Sequence, residues 1–95
     1  MYSIVQKQNE EKIRLEFRLE NCCGQDVMLA GSFNDWMPVP MTVDAATNCA
    51  VIVLELVPDY YEYRFVVDGK WITDESNPEI SANDFGTLNS VLDLR

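Results

Sequence analysis

From Ile13 to Glu20 apolar and charged residues alternate, with Ile13, Leu15, Phe17 and Leu19 set against Arg14, Glu16, Arg18 and Glu20. A period of two puts the apolar side chains on one face of a strand and the charges on the other. One dry face and one wet face is the habit of an antiparallel sheet packed on a single side. The runs AVIVLEL (50–56) and YYEYRFVV (60–67) are β-branched and aromatic, and they end at Pro58 and Asp68-Gly69. With VMLAG (27–31) and TLNSVLDL (87–94) they complete the set of predicted strands. Pro38 and Pro40 break SFNDWMPVPM into a loop, and TDESNPEISANDFG is a long turn-rich connection. Residues 1–12 read as a flexible amino-terminal arm, followed by a single domain over 13–95. Short strands at this spacing predict an all-β chain, an antiparallel sandwich of about 6–8 strands, with a closed barrel as the less favoured alternative.

The turn at Asp68-Gly69 fixes which residues share a face. A two-residue loop of this composition favours a type I′ turn, in which Val67 faces Lys70, Val66 faces Trp71 and Phe65 faces Ile72. Tyr61, Tyr63, Phe65, Val67 and Ile72 then form the core side. Glu62, Arg64, Val66 and Trp71 lie opposite, on a face whose charges exclude deep burial. Trp71 is therefore expected to be exposed or half-exposed, either covering the Val66 and Arg64 stems or serving a partner. Trp36 stands in a proline-flanked loop three residues after Phe33, the expected core plug. Two such indoles beside Arg64 and the amides of Asn34, Asn83 and Asn89 suit a sugar, whose C–H faces pack on rings while its hydroxyls meet polar groups. A protein-binding patch fits the same residue types.

Charge narrows the partners. Seven Lys and Arg against sixteen Asp and Glu give a net charge of −9, which repels nucleic acid and anionic lipid. The amino terminus lacks the basic start and apolar run of a signal peptide, and no apolar stretch is long enough to span a bilayer. Cys22, Cys23 and Cys49 are odd in number, with two adjacent, so reduced thiols and a cytoplasmic setting are expected.

Histidine is absent, which removes His-centred catalysis and His metal ligands. Three cysteines do not make a zinc set. Asp74, Glu75 and Glu62 could in principle pair for hydrolysis, but they read as a solvated loop and an open strand face. Calcium ligation by Asp74, Glu75, Asn77 or Glu79 lacks EF-hand spacing. The expectation is no enzyme, no metal and no cofactor.

The blocks VMLAGSFNDWMPVPM, YEYRFVVDGKWITDESNP and FGTLNSVLDL resemble the glycogen-binding domain of AMP-activated protein kinase β subunits, within carbohydrate-binding module family 48. They cover most of 26–94. The resemblance implies an immunoglobulin-like, early-set sandwich that binds α-1,4-linked glucans such as glycogen or starch-like maltosaccharides. It places Trp36 and Trp71 as stacking rings, with Arg64, Phe85, Thr87 and Asn89 as further sugar contacts. Arg64 replaces the family's lysine, turning a point donor into a planar fork. Phe85 replaces a leucine, and one extra residue lies between Pro78 and Phe85. A protein partner in glycogen metabolism is compatible with the same resemblance. Two other roles fit it: a protein-interaction module without sugar binding, and an accessory domain of a glucan branching or debranching enzyme.

Overall fold

The computed structural model describes residues 1–7, 12–22 and 24–95. Among these residues ten strand segments form two antiparallel sheets. The first contains β1 (Tyr2–Lys7), β2 (Ile13–Leu19), β6 (Cys49–Leu56) and β5 (Thr42–Asp44), in that order. The second runs β4 (Val39–Pro40), β3 (Val27–Gly31), β7 (Tyr60–Val67), β10 (Leu88–Asp93) and β9 (Ile80–Ala82), while β8 (Lys70–Ile72) also pairs with β7. The predicted antiparallel sandwich is thus the observed architecture.

Between the sheets lie Leu15, Phe17, Leu29, Tyr63, Phe65 and Leu92, all fully buried. Alternation in β2 and β7 delivers Leu15, Phe17, Tyr63 and Phe65 inward, as the sequence pattern requires. Phe33 plugs the core beside Phe17 and Tyr61, at ring separations of 5.9 and 6.0 Å. On the outer face of the first sheet, Arg14 faces Glu55 across the strands and pairs with it at 3.0 Å. That bridge is exposed and contributes little.

The structure corrects three expectations. Residues 2–7, predicted as part of an arm, form β1 and pair with β2. The Tyr2 ring docks this strand, lying 6.2 Å from Phe17 and 6.3 Å from Tyr63. Residues 8–11 of the expected arm lie outside the described residues. Ile72 occupies the predicted side of β8 yet is 37% exposed, because this short strand borders an open cavity shared with Leu19, Cys22 and Val67. Asp74, predicted to be solvated, is buried, as is Asn77.

Their burial has a chemical cause. The Tyr63 hydroxyl donates to Asp74 Oδ2 at 2.7 Å, and Asn77 Nδ2 donates to the Tyr63 oxygen at 3.1 Å and to the Val91 carbonyl at 2.8 Å. The Asp74 amide donates to Ser90 Oγ at 2.8 Å. Each of these buried polar groups thus has a partner, the condition for tolerating it in a core. Burial pushes the Tyr63 hydroxyl well above the ordinary tyrosine range; the Asn77 donor opposes this and the Asp74 carboxylate adds to it.

Gly31 sits where β3 leads into the loop that carries Trp36. A Cβ there would lie 2.5 Å from the Phe33 ring and 2.7 Å from the Glu62 carbonyl oxygen. The backbone of β7 cannot yield without disturbing the sheet. Gly31→Ala is expected to destabilise the domain by about 1–3 kcal/mol in urea unfolding, and a change below about 0.5 kcal/mol would contradict this packing.

Tyr63→Phe leaves Asp74 short of a buried donor and is expected to cost about 1–3 kcal/mol. The same variant carries a pH signature. Because the folded-state pKa is raised above 10.0, the unfolded chain releases this proton first, so stability is full below that pH and falls as pH rises beyond it. Unfolding curves in alkaline buffers should show a shallower decline for Tyr63→Phe than for the wild type.

Candidate functional site

Trp71 is aimed by the hairpin that joins β7 to β8. Asp68 and Gly69 have φ of 50° and 83°, the left-handed pair that a type I′ turn needs. Val67, Val66 and Phe65 pair with Lys70, Trp71 and Ile72, which is the predicted register. Asp68 also fastens the turn to the start of β3. Its amide donates to the Asp26 carbonyl at 2.8 Å, and its carboxylate accepts the Asp26 amide at 2.9 Å. Trp71 emerges on the outer face, 39% exposed, above a buried Val66.

Trp36 reaches the same place by a less regular route. After Gly31 the chain makes a 3-10 turn over Ser32–Asn34, then places both Asp35 (φ 56°) and Trp36 (φ 59°) in the left-handed region. Asp tolerates that region, whereas a bulky residue there costs about 1–2 kcal/mol. Three hydrogen bonds hold the loop against this strain. Gly31 N donates to Asn34 Oδ1 at 3.0 Å, Trp36 N to the Gly31 carbonyl at 2.9 Å, and Met37 N to the Asn34 carbonyl at 3.1 Å. Asn34, counted in the sequence among amides near the site, therefore serves this loop.

Arg64 stands at a fork. On the edge of β7 opposite β3, the stretch Tyr60–Tyr63 pairs with β10 and Phe65–Val67 pairs with β8. Arg64 lies between the two. Its Nη2 donates to the Trp71 carbonyl at 3.0 Å, and its guanidinium carbon lies 5.9 Å from the Trp71 ring centroid. Its Nε is buried and has no acceptor among the described residues. Asn89, two residues before the Val91 that pairs with Glu62, shares this outer face and donates from Nδ2 to Glu62 Oε1 at 3.0 Å.

Phe85 and Thr87 come from the short loop between β9 and β10. Phe85 is 91% exposed. The structure brings all six sequence-predicted residues, Trp36, Arg64, Trp71, Phe85, Thr87 and Asn89, around one open groove of about 290 Å³. Asn83, counted in the sequence among the amides near the indoles but not among the contacts that the family resemblance implies, is a seventh lining residue. The signal was present in Asn83-Asp84-Phe85-Gly86, an Asx residue opening a turn with glycine at its end. The two indoles lie 6.5 Å apart with planes tilted by 43°, forming an angled apolar floor. Hydrogen-bonding groups border it. Among the described residues no cluster of three or more His, Cys, Asp or Glu side chains is arranged to hold a metal.

Residues 13–95 match the family described as the glycogen recognition site of AMP-activated protein kinase. The chain belongs to this family. Relatives of this glycogen-recognition domain include the β-1 subunits of 5'-AMP-activated protein kinase from Sus scrofa, 36% identical, and Homo sapiens, 38% identical, each over 72 residues. The match takes in 76% of this chain in both cases, and 57% of the pig and 26% of the human sequence. Among solved structures, the maltogenic amylase from S. marinus superposes with a TM-score of 0.82 at 19% identity, over 100% of this chain and 16% of the amylase. Enterochelin esterase from Shigella flexneri superposes with a TM-score of 0.81 at 16% identity, over 98% of this chain and 32% of the esterase. These two likenesses establish the fold.

The left-handed backbone at Trp36 yields a test. Replacing the indole removes its contact with Trp71 in either variant, so Trp36→Gly and Trp36→Ala differ in left-handed strain, offset in part by the larger unfolded-state entropy of Gly. Trp36→Gly is expected to be about 1 kcal/mol more stable than Trp36→Ala in urea unfolding, the reverse of the order at an ordinary position. Equal stabilities would show that the loop relaxes out of the left-handed region.

Proposed function

We propose that this domain binds α-1,4-linked glucan, such as glycogen or starch-like maltosaccharide, and catalyses no reaction. The observation that carries the reading is the convergence of Trp36 and Trp71 with Arg64, Phe85, Thr87 and Asn89 on one groove of a chain that belongs to a glycogen-recognition family. A pyranose ring offers apolar C–H faces to the indoles and a rim of hydroxyls to the surrounding donors and acceptors. The 43° tilt between the indoles suits a chain that curves from one sugar to the next better than a flat ribbon. Phe85 extends the apolar surface at one side.

The role that follows is targeting or regulation: the module holds a partner or a process on the polysaccharide. Since the chain spans only part of its kinase-subunit relatives, association with a protein of glycogen metabolism is proposed on that likeness alone. A cytoplasmic setting is proposed as well, and the free, buried thiols of Cys22 and Cys49 favour it.

Calorimetric titration with maltoheptaose or β-cyclodextrin tests the reading. Binding heat at millimolar sugar is expected, and Trp36→Ala and Trp71→Ala should each weaken it by about 1–3 kcal/mol. No heat from a folded wild type, or unaltered affinity in both variants, would sink the proposal. A stable homodimer that buries Trp71 and binds no glucan would favour protein association on this face instead.

A further inference from the structure

Asn83 and Thr87 close the loop between β9 and β10. The Gly86 amide donates to the Asn83 carbonyl at 3.2 Å, the Asn83 amide donates to the Thr87 carbonyl at 2.9 Å, and Gly86 takes φ of 79°. This is a three-residue hairpin loop with its last residue left-handed. Backbone pairing alone would leave the amides of Phe85 and Thr87 unbound. The Asn83 side chain supplies both partners: its Oδ1 accepts from Phe85 N at 2.9 Å and from Thr87 N at 3.1 Å. Its Nδ2 donates to Thr87 Oγ1 at 2.6 Å.

This pattern fixes more than shape. Two backbone donors converge on one end of the amide, so that end must be the oxygen, and the NH₂ end must face Thr87. The Thr87 hydroxyl spends one of its two lone pairs on Asn83, which turns its proton away from Asn83 and leaves it free to donate elsewhere. Among the described residues no acceptor takes that proton. Arg64 also lines the groove, and its Nε–H is buried without an acceptor among the described residues.

We propose that Asn83 is a positioning residue of the groove, which holds the Phe85 ring outward and turns the free proton of the Thr87 hydroxyl toward a bound glucan. The proposal rests on the glucan-binding reading. It adds a donor to it: the Thr87 proton is available to an oxygen on the edge of a bound sugar. Holding the loop before binding also lowers the ordering cost that an exposed ring would otherwise incur.

Two variants separate these roles. Asn83→Asp keeps an acceptor for the Phe85 and Thr87 amides but removes the Nδ2 donor, so the Thr87 hydroxyl turns to donate to the introduced carboxylate. Asn83→Ala loses both functions. Amide hydrogen exchange, read without sugar, should show Phe85 and Thr87 slowed in the wild type and in Asn83→Asp, and fast in Asn83→Ala. With maltoheptaose, Asn83→Asp should bind roughly 2- to 12-fold more weakly than wild type despite its intact loop. Thr87→Val should lose a similar factor, and the double variant should bind no worse than either single one.

Fast exchange at Phe85 and Thr87 in the wild type would overturn the positioning role whatever the sugar does. Wild-type affinity in Asn83→Asp, or losses that multiply in the double variant, would overturn the donor role. A wild type that shows the expected exchange pattern yet binds no maltoheptaose would instead overturn the glucan reading and the donor role with it.

Discussion

Tyr63 ties the two sheets and the long connection into one body. Its ring meets Tyr2 and Phe17 from the first sheet and Phe65 from its own strand, while its hydroxyl meets Asp74 and Asn77 of the 73–79 connection. A tyrosine so placed fixes the register of β7, since a slip by one residue would drive Arg64 into the core and Tyr63 into water. That register then determines the outer face. Arg64, Val66 and, through the hairpin, Trp71 stand where they do because Tyr63 and Phe65 stand between the sheets.

The parts of this arrangement that were legible in the sequence depend on local rules. Strand alternation in 13–20 and the Asp68-Gly69 turn each specify geometry within a few residues, so the pairing of Val66 with Trp71 could be counted out. The parts that were not legible depend on contacts distant in sequence. Strand β1 shows no period-two alternation, and its ladder with β2 together with the packing of Tyr2 on Phe17 and Tyr63 makes it a strand. Asp74 and Asn77 sit in a run of turn formers, and nothing local shows that a tyrosine eleven residues earlier in the chain will draw Asp74 inward. The family resemblance supplied the gathering of six residues at one groove, which no periodicity could have shown. It did not supply Asn83, whose role is visible only once the loop is closed.

The groove is built by three different devices, each rigid in its own way. A type I′ turn aims Trp71, a strained left-handed pair aims Trp36, and a side-chain amide shapes the loop of Phe85. Strain of this kind persists only where surrounding bonds over-determine it, and such sites are commonly functional. The fork in β7 adds a fourth constraint. With β8 and β10 sharing one edge of the strand, Arg64 can reach across to the Trp71 carbonyl and brace the indole from behind.

The close approach at Gly31 has a consequence for how this domain can change over time. At Gly31 the chain that leads to Trp36 meets both the Phe33 ring and the Glu62 carbonyl oxygen with no room for a Cβ, and Ser32 Oγ accepts the Glu62 amide at 3.1 Å. The loop is thus seated on β7 by main chain, one hydroxyl and one core ring together. A change in the size of Phe33 would be felt at the groove floor, so at this point the groove and the interior must evolve together, with a missing methyl group as the space they share.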